Sequence, residues 1–194
     1  MIPAVVLAAG TSARLGRPKQ LLELWGKPLL QHVVDFISGC GFEEVVVVLG
    51  HAEAEIRSCI LLPAGGRFLS AAGYRGGQAH SLAAGLAAVR EASAAAVFVG
   101  DQPGIPEEAV RRVLDAYADA RRPFIRPLYR GRPGHPVVIA RSAFAAVAGL
   151  TGDDGARRVM EERPGDVFEV ELNLDLPPDL DTWGDVLRAA SAKR

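Results

Sequence analysis

The chain has 194 residues, 49% hydrophobic and 23% charged, and its 22 Lys and Arg against 23 Asp and Glu leave a formal net charge of −1. That balance gives no broad basic surface for nucleic acid; the two cysteines, Cys40 and Cys59, are too few for a zinc ribbon or a disulfide framework; and no apolar run approaches the roughly 20 residues that span a bilayer. The length suits one domain over residues 1–194 with its own core, and with no secretory leader at Met1 the expectation is a cytoplasmic protein.

In chain order, Pro3 to Ala9 is short, apolar and closed by Gly10, the pattern of a buried strand. Pro28 suits a first helical residue, and Leu29, Leu30, Val33, Val34 and Ile37 follow at helical spacing until Gly39 and Gly41 end the helix. Val45 to Leu49 is apolar throughout, as in a parallel strand covered on both faces. Glu53 to Leu62 reads as a short helix closed by Pro63, Arg67 to Ala71 as a weak strand, and Gln78 to Ala92 as an Ala- and Leu-rich helix. Ala95 to Val99 is the next strand, stopped at Gly100-Asp101. Pro106 to Ala120 is a helix with Val110, Val113, Leu114 and Tyr117 on one face. Pro123 to Pro127 and Val137 to Ala140 are strands, and Ser142 is predicted to cap a helix running through Val147. Asp153 to Arg163 is a helix, Val167 to Val170 a strand, and Thr182 to Ala190 a last helix.

Strand and helix alternate at short intervals through the first 120 residues. This predicts an α/β fold, a mostly parallel central sheet with helices on both faces joined by right-handed crossovers. In such a sheet ligands bind outside the carboxyl ends of the strands. The loop after the first predicted strand has the composition to hold an anion there. Gly10 lets backbone approach a ligand, and Thr11, Ser12 and Ala13 are small enough for their N–H groups to form a nest. Arg14 offers a forked donor and Lys19 a point charge for phosphate. Neither G-x-x-x-x-G-K-[ST] nor G-x-G-x-x-G is present. The alternative for this stretch is a solvated basic loop.

Asp101 follows the predicted strand ending at Val99, at the same edge, where Pro103 and Gly104 fix a turn. A carboxylate there suits Mg²⁺, which takes one or two carboxylates along with phosphates and water; a loop hydrogen bond or a helix cap would use it equally well. Asp179 and Asp181 alternate around Leu180 and share a face if the segment is extended, while Asp181 or Thr182 can equally cap the last helix. His135, in the turn-rich Gly131 to Pro136, is either a substrate contact or a structural histidine. Gly76 to Ser81 opens a helix with small residues suited to a close ligand. Thr151 to Arg157 opens another, whose N-terminus either meets an anion or is capped by Asp153. No H-E-x-x-H, G-x-S-x-G or Cys–His pattern points to a hydrolase.

Together these segments resemble the molybdenum cofactor nucleotidyltransferases, in the molybdopterin cytidylyltransferase-like branch. The matches run in order: Leu7-Ala8-Ala9-Gly10 with Arg14, Gly16 and Arg17-Pro18-Lys19-Gln20-Leu21-Leu22; Gly77 to Gly85; Gly100-Asp101-Gln102-Pro103; Gly134-His135-Pro136; and Thr151 to Arg157 followed by Asp179-Leu180-Asp181-Thr182. They cover almost the whole chain. The resemblance implies a three-layer Rossmann-like nucleotide-diphospho-sugar transferase fold. It also implies Mg²⁺-dependent transfer of a nucleoside monophosphate from CTP or GTP to a pterin phosphate, with release of pyrophosphate. The LAAG form of the first motif is similar to the cytidylyl enzymes. The sequence departs from the family where Ala71 and Ala72 replace a frequent Asn-Pro, at Gln78 and His80, and where Trp183-Gly184 replaces Pro-Glu.

On that resemblance Leu7, Ala8, Ala9, Gly10, Thr11, Ser12, Arg14 and Lys19 bind the nucleotide, with Gly77 and Ser81 framing base and ribose. Arg14, Lys19 and Asp101 are the implied catalytic residues. Asp101 and Asp181 are the implied Mg²⁺ ligands, with Asp179 competing for the second place. Gly134, His135, Gly155 and Arg157 are the implied acceptor contacts. The implied partners are a nucleoside triphosphate and a molybdopterin-type acceptor, with a molybdoenzyme or its maturation chaperone downstream, and neither nucleic acid nor membrane. Two other readings fit the same residues: a same-fold enzyme for a sugar or polyol phosphate, and a non-catalytic protein that delivers a nucleotide or cofactor.

Overall fold

The apolar runs come together in one sheet, and their alternate side chains fill two separate layers of core. The computed structural model describes residues 1–192. Its strands are β1 (Ala4–Leu7), β2 (Glu23–Leu24), β3 (Lys27–Pro28), β4 (Val45–Leu49), β5 (Arg67–Ser70), β6 (Ala94–Val99), β7 (Phe124–Tyr129), β8 (Arg132–Pro133), β9 (Val137–Ala140) and β10 (Val167–Leu172). Its helices are α1 (Leu29–Gly39), α2 (Glu53–Cys59), α3 (Gln78–Ala88), α4 (Glu107–Ala120), α5 (Arg141–Ala148), α6 (Arg157–Glu162) and α7 (Trp183–Ala192).

The main sheet has the order β10-β7-β9-β6-β1-β4-β5, with β8 paired to β7. β5, β4, β1 and β6 are parallel, as the alternation predicts, and β10 is parallel to β7. β9 runs against both β6 and β7. The reversal begins at Arg130-Gly131, both at positive φ, which closes the two-residue hairpin between β7 and β8. As a result the start of β9, not its end, lies at the ligand-binding edge of the sheet, and the Gly134-His135 segment arrives there with it.

Even-numbered residues of β1 (Ala4, Val6) face α1, α2 and α4, where Leu30, Val34, Ile56 and Val110 are buried. Odd-numbered residues (Val5, Leu7) face α3, α5 and α6, where Leu82, Val147 and Met160 are buried. This is the three-layer arrangement expected from the resemblance. A third cluster lies to one side: Leu15, Leu22, Leu24, Leu29, Leu180 and Val186. It packs the segment after β1 against the approach to α7, although the two are far apart in sequence.

Several local expectations need correction. Ser142 is inside the first turn of α5, and no side chain caps that helix; the Arg141 N–H instead donates to the Ser93 carbonyl at 2.8 Å. α2 stops at Cys59 rather than Leu62, and α3 at Ala88 rather than Ala92. α6 begins at Arg157 rather than Asp153, because Asp153 is used elsewhere. The β2–β3 hairpin and β8 are too short to leave a periodic signal.

α3 reaches β1 closely because Gly85 carries no side chain. A Cβ there would lie 2.5 Å from Val5 Cγ1 and 3.2 Å from Val48 Cγ2. Gly85→Val is therefore expected to destabilise the fold by about 1–3 kcal/mol through overpacking. A urea unfolding curve with its midpoint lowered and its slope unchanged would register this.

Candidate functional site

The sheet changes direction of winding at β1: the chain moves out through β4 and β5, then returns to place β6 on the other side. Such a switch point leaves a crevice at the carboxyl ends of the two central strands. Leu7 and Val99 are partners in the register, so Ala8-Ala9-Gly10 and Gly100-Asp101 leave the sheet side by side. The Gly100 N–H donates to the Leu7 carbonyl at 2.9 Å. A Cβ on Gly100 would lie 3.0 Å from the Ala8 Cβ, so the close approach depends on glycine.

A cavity of about 1030 Å³ opens here. Small-molecule sites are commonly ~300–1,000 Å³, so this one lies at the upper end of that range. Leu7, Ala8, Ala9, Gly10, Thr11 and Lys19 form one wall; Gly77 and Ser81 form a second, with Gly155 and Arg157 beside them. Asp101, Gly134 and His135 line it further round, and Asp181 closes it from the C-terminal segment. Arg14 borders the cavity through a 3.3 Å contact from its Nη2 to Asp181. Ser12 is turned inward, with its Oγ accepting the Lys19 N–H at 2.9 Å.

Lys19 is the centre of the charged group. Its ammonium donates to Asp101 and, at 2.8 Å, to Asp181. The Lys19 side chain is 17% exposed and that of Asp101 16%. Burial works against the charged ammonium, but the Asp101 and Asp181 carboxylates together outweigh it and hold the Lys19 pKa above its ordinary value. Partial burial lifts the Asp179 carboxyl above the usual range, and the nearby Asp101 charge adds to the shift. Asp181 faces Lys19 and Arg14, whereas Asp179 gives an oxygen to Gln102 Nε2 at 2.7 Å.

Asp181 is free for this role because Thr182 performs the capping. Thr182 Oγ1 accepts the Asp185 N–H at 3.3 Å, and the Asp185 carboxylate accepts the Thr182 N–H at 2.8 Å, a reciprocal capping box that starts α7. Those hydrogen bonds to Thr182 hold the Asp185 pKa below its ordinary value. Leu180 is fully buried in the third cluster, and its N–H donates to the Asp101 carbonyl at 3.1 Å. Arg17 lies over the Trp183 ring at 5.4 Å, a second tie between the N-terminal loop and the C-terminal segment.

Asp153 does not cap its own helix. Its carboxylate accepts the Gln78 N–H at 3.3 Å, and the Gly152 carbonyl accepts the Ala79 N–H at 3.0 Å. The 151–157 segment thus seals the N-terminus of α3. Gly77, at φ +104°, makes this possible, since a Cβ there would lie 2.4 Å from the Gly152 carbonyl carbon. Arg157 is held by Asp154 at 2.5 Å. His135 Nδ1 sits 3.3 Å from the Val97 carbonyl, so this nitrogen carries the hydrogen. Burial lowers the His135 pKa and keeps the ring neutral, against smaller opposing effects of that carbonyl and of Asp101.

Several cavity residues escape the sequence reading, Gln20, Gln102 and Arg126 among them. Gln20, 2% exposed, donates through Nε2 to the Ala8 carbonyl at 2.7 Å and to the Gly10 carbonyl at 3.3 Å, fixing the loop from behind. Gln102, 5% exposed, ties the Asp101 turn to the C-terminal segment. Arg126 projects from an otherwise apolar strand and pairs with Glu169. For Arg126 the available signal was a charge within an apolar strand, while Gln20 and Gln102 stand directly beside Lys19 and Asp101 in the quoted motifs. Among the described residues, no group of three or more His, Cys, Asp and Glu side chains is placed to hold a metal. The donor set is two carboxylates, Asp101 and Asp181, converging on one cation. This fits a hard divalent ion that takes its remaining ligands from phosphate and water.

A basic loop and paired carboxylates meet in one cavity at a sheet switch point, and the chain is a nucleotidyltransferase. The MobA-like NTP transferase domain profile matches residues 4–167, and the chain belongs to that family. Nicotine blue oxidoreductase of Paenarthrobacter nicotinovorans is 34% identical over 176 residues, 84% of this chain and 83% of that one. The crystal structure of the Mycobacterium tuberculosis Rv0371c homologue from Mycobacterium sp. strain JC1 superposes with a TM-score of 0.87 at 34% identity, covering 98% of this chain and 96% of that one. Rv0371c of Mycobacterium tuberculosis H37Rv, solved in complex with manganese, gives a TM-score of 0.82 at 29% identity over 98% of each chain. No helix among the described residues is long and apolar enough to cross a membrane.

The cavity wall at Gly134-His135 rests on Tyr129, which is fully buried and donates its hydroxyl to the His135 carbonyl at 2.6 Å. Burial raises the Tyr129 pKa from 10.0 to about 12. The unfolded chain ionises this tyrosine at a lower pH than the folded protein does. Its contribution to stability is therefore intact below pH 10 and is lost as pH rises toward about 12. Denaturant midpoints measured across that window are expected to fall more steeply in the parent than in Tyr129→Phe.

Proposed function

We propose that the protein moves a nucleoside monophosphate, cytidylyl in preference to guanylyl, from its triphosphate to the phosphate of a molybdopterin-type acceptor, with Mg²⁺ and release of pyrophosphate. The observation that carries this reading is the meeting of Lys19, Asp101 and Asp181 at the β1–β6 edge of a cavity of about 1030 Å³. The LAAG form of the loop supports the cytidylyl preference, and the manganese complex of Rv0371c supports a divalent ion. Cytoplasmic location and a downstream molybdoenzyme belong to the same proposal.

In this reading an acceptor phosphate oxygen attacks the α-phosphorus. The bond to the bridging oxygen breaks, and its electron pair leaves with pyrophosphate. Backbone from Leu7 to Thr11 with Gly77 and Ser81 cradles the nucleoside. Arg14 and Lys19 turn from the carboxylates to the β- and γ-phosphates and stabilise the leaving charge, an effect strongest where water is excluded. Asp101 and Asp181 hold Mg²⁺, which when bound supplies Lewis-acid charge to the phosphoryl group. The acceptor already bears an oxyanion, so no general base is required. Neutral His135, with Gly134, Gly155 and Arg157, orients the acceptor through hydrogen bonds and one positive charge.

A second reading comes from the relative named nicotine blue oxidoreductase: the same cavity would hold a redox substrate of the kind that name gives. Pyrophosphate release from CTP, GTP, ATP and UTP with Mg²⁺, with and without molybdopterin, separates the two. Acceptor-dependent release from CTP is the expected result. Oxidation or reduction of nicotine blue with no pyrophosphate formed would favour the redox reading. Lys19→Ala is expected to lower turnover roughly 100-fold or more, and Asp101→Ala to abolish Mg²⁺-dependent turnover. Near-parental rates in either variant would count against the assigned role.

A further inference from the structure

The family profile ends at residue 167, yet the carboxylate opposite Asp101 comes from position 181. Some interaction must bring that later segment to the Asp101 turn and orient it. Leu180 sets its depth by burial. Depth alone does not determine which acid faces the cation, because Asp179 and Asp181 flank Leu180 and both lie near Asp101.

Gln102 supplies the missing constraint. It is 5% exposed and follows Asp101 directly in the chain. Its Nε2 donates to Asp179 Oδ1 at 2.7 Å and approaches the Pro177 carbonyl at 3.4 Å. Its Oε1 is buried without a hydrogen-bond partner. A buried amide with only its donor end satisfied costs more than an apolar side chain of the same size. The side chain therefore works as a donor, and what it holds is the 177–179 segment. With Asp179 gripped at one oxygen, Asp181 is the acid turned to Lys19. We propose that Gln102 is a positioning residue: it assigns Asp179 to a support role and presents Asp181 beside Asp101 as the second carboxylate of the cation site. This rests on the nucleotidyltransferase reading only for the identity of the cation. The placement of the acids can be read independently of turnover.

The test is Mn²⁺ binding by the full chain, followed by electron paramagnetic resonance with no nucleotide present. Changes to residues that orient metal ligands commonly cost 10–100-fold in affinity. Gln102→Leu, which cannot donate, is expected to weaken Mn²⁺ at least about tenfold, and Gln102→Glu to weaken it more by setting a carboxylate against Asp179. Asp179→Asn keeps an acceptor for the Gln102 amide and is expected to bind within about threefold of the parent, well above Asp101→Asn. In turnover, Gln102→Leu should raise the Mg²⁺ concentration for half-maximal rate and recover kcat at saturating Mg²⁺, a split that general loss of structure would not give. Thermal melting checks folding; if Gln102→Leu does not fold, Gln102→Glu and Asp179→Asn still decide. Parental Mn²⁺ affinity in both Gln102 variants overturns the proposal. So does a loss in Asp179→Asn equal to that in Asp101→Asn, or no Mn²⁺ binding by the parent chain. Absence of nucleotide transfer with the expected Mn²⁺ pattern intact would overturn the proposed reaction and leave this placement standing.

Discussion

Two ionised carboxylates repel in a partly buried site unless a cation lies between them, and that constraint organises this protein. Asp101 and Asp181 approach one another only because the Lys19 ammonium lies between them. The three groups come from different parts of the chain, so the fold must deliver them together. The parallel pairing of β1 with β6 brings the segments carrying Lys19 and Asp101 side by side, leaving Asp181 as the third group. The third cluster, with Leu15 and Leu22 on one side and Leu180 and Val186 on the other, delivers the third. In the proposed reaction a divalent cation would compete with Lys19 for the same oxygens, so that entry of the metal and movement of the lysine toward phosphate would be two halves of one exchange.

The sheet accounts for much of the rest. Because β9 is reversed, its first residues rather than its last reach the ligand edge. This is how a Gly-His segment comes to face the Gly10 loop from the opposite side of the crevice. The tight hairpin at Arg130-Gly131 begins that reversal. A glycine at position 85 similarly lets α3 settle close to β1, and the start of that helix forms another cavity wall.

Much of this was legible in the sequence, for identifiable reasons. Val45 to Leu49 and the strand ending at Val99 are uniformly apolar and bounded by glycine, and both appear within a residue of their predicted limits. The Gly10 loop and Asp101 could be placed at one edge because strand–helix alternation implies it. The pairing partners of local segments were less legible. Asp153 looks like the cap of the helix it precedes, and only the tertiary fold brings it to α3. The direction of β9 depends on a hairpin with strands of two residues, too short for any period to register. Gln20 and Gln102 stand in motifs quoted for their neighbours, and their role emerges only once the carbonyls and carboxylate they bind are in place.

The sealed end of α3 has a consequence for selectivity. Backbone N–H groups at an open helix terminus attract any anion with little regard for its shape. Here Gly152 and Asp153 have already taken the donors of Gln78 and Ala79. Under the proposed function, discrimination on that wall would fall to exchangeable side chains such as Gln78 and Arg157. A lineage could then retune which molecule it accepts there by single replacements, leaving the Gly10–Lys19 side of the crevice untouched.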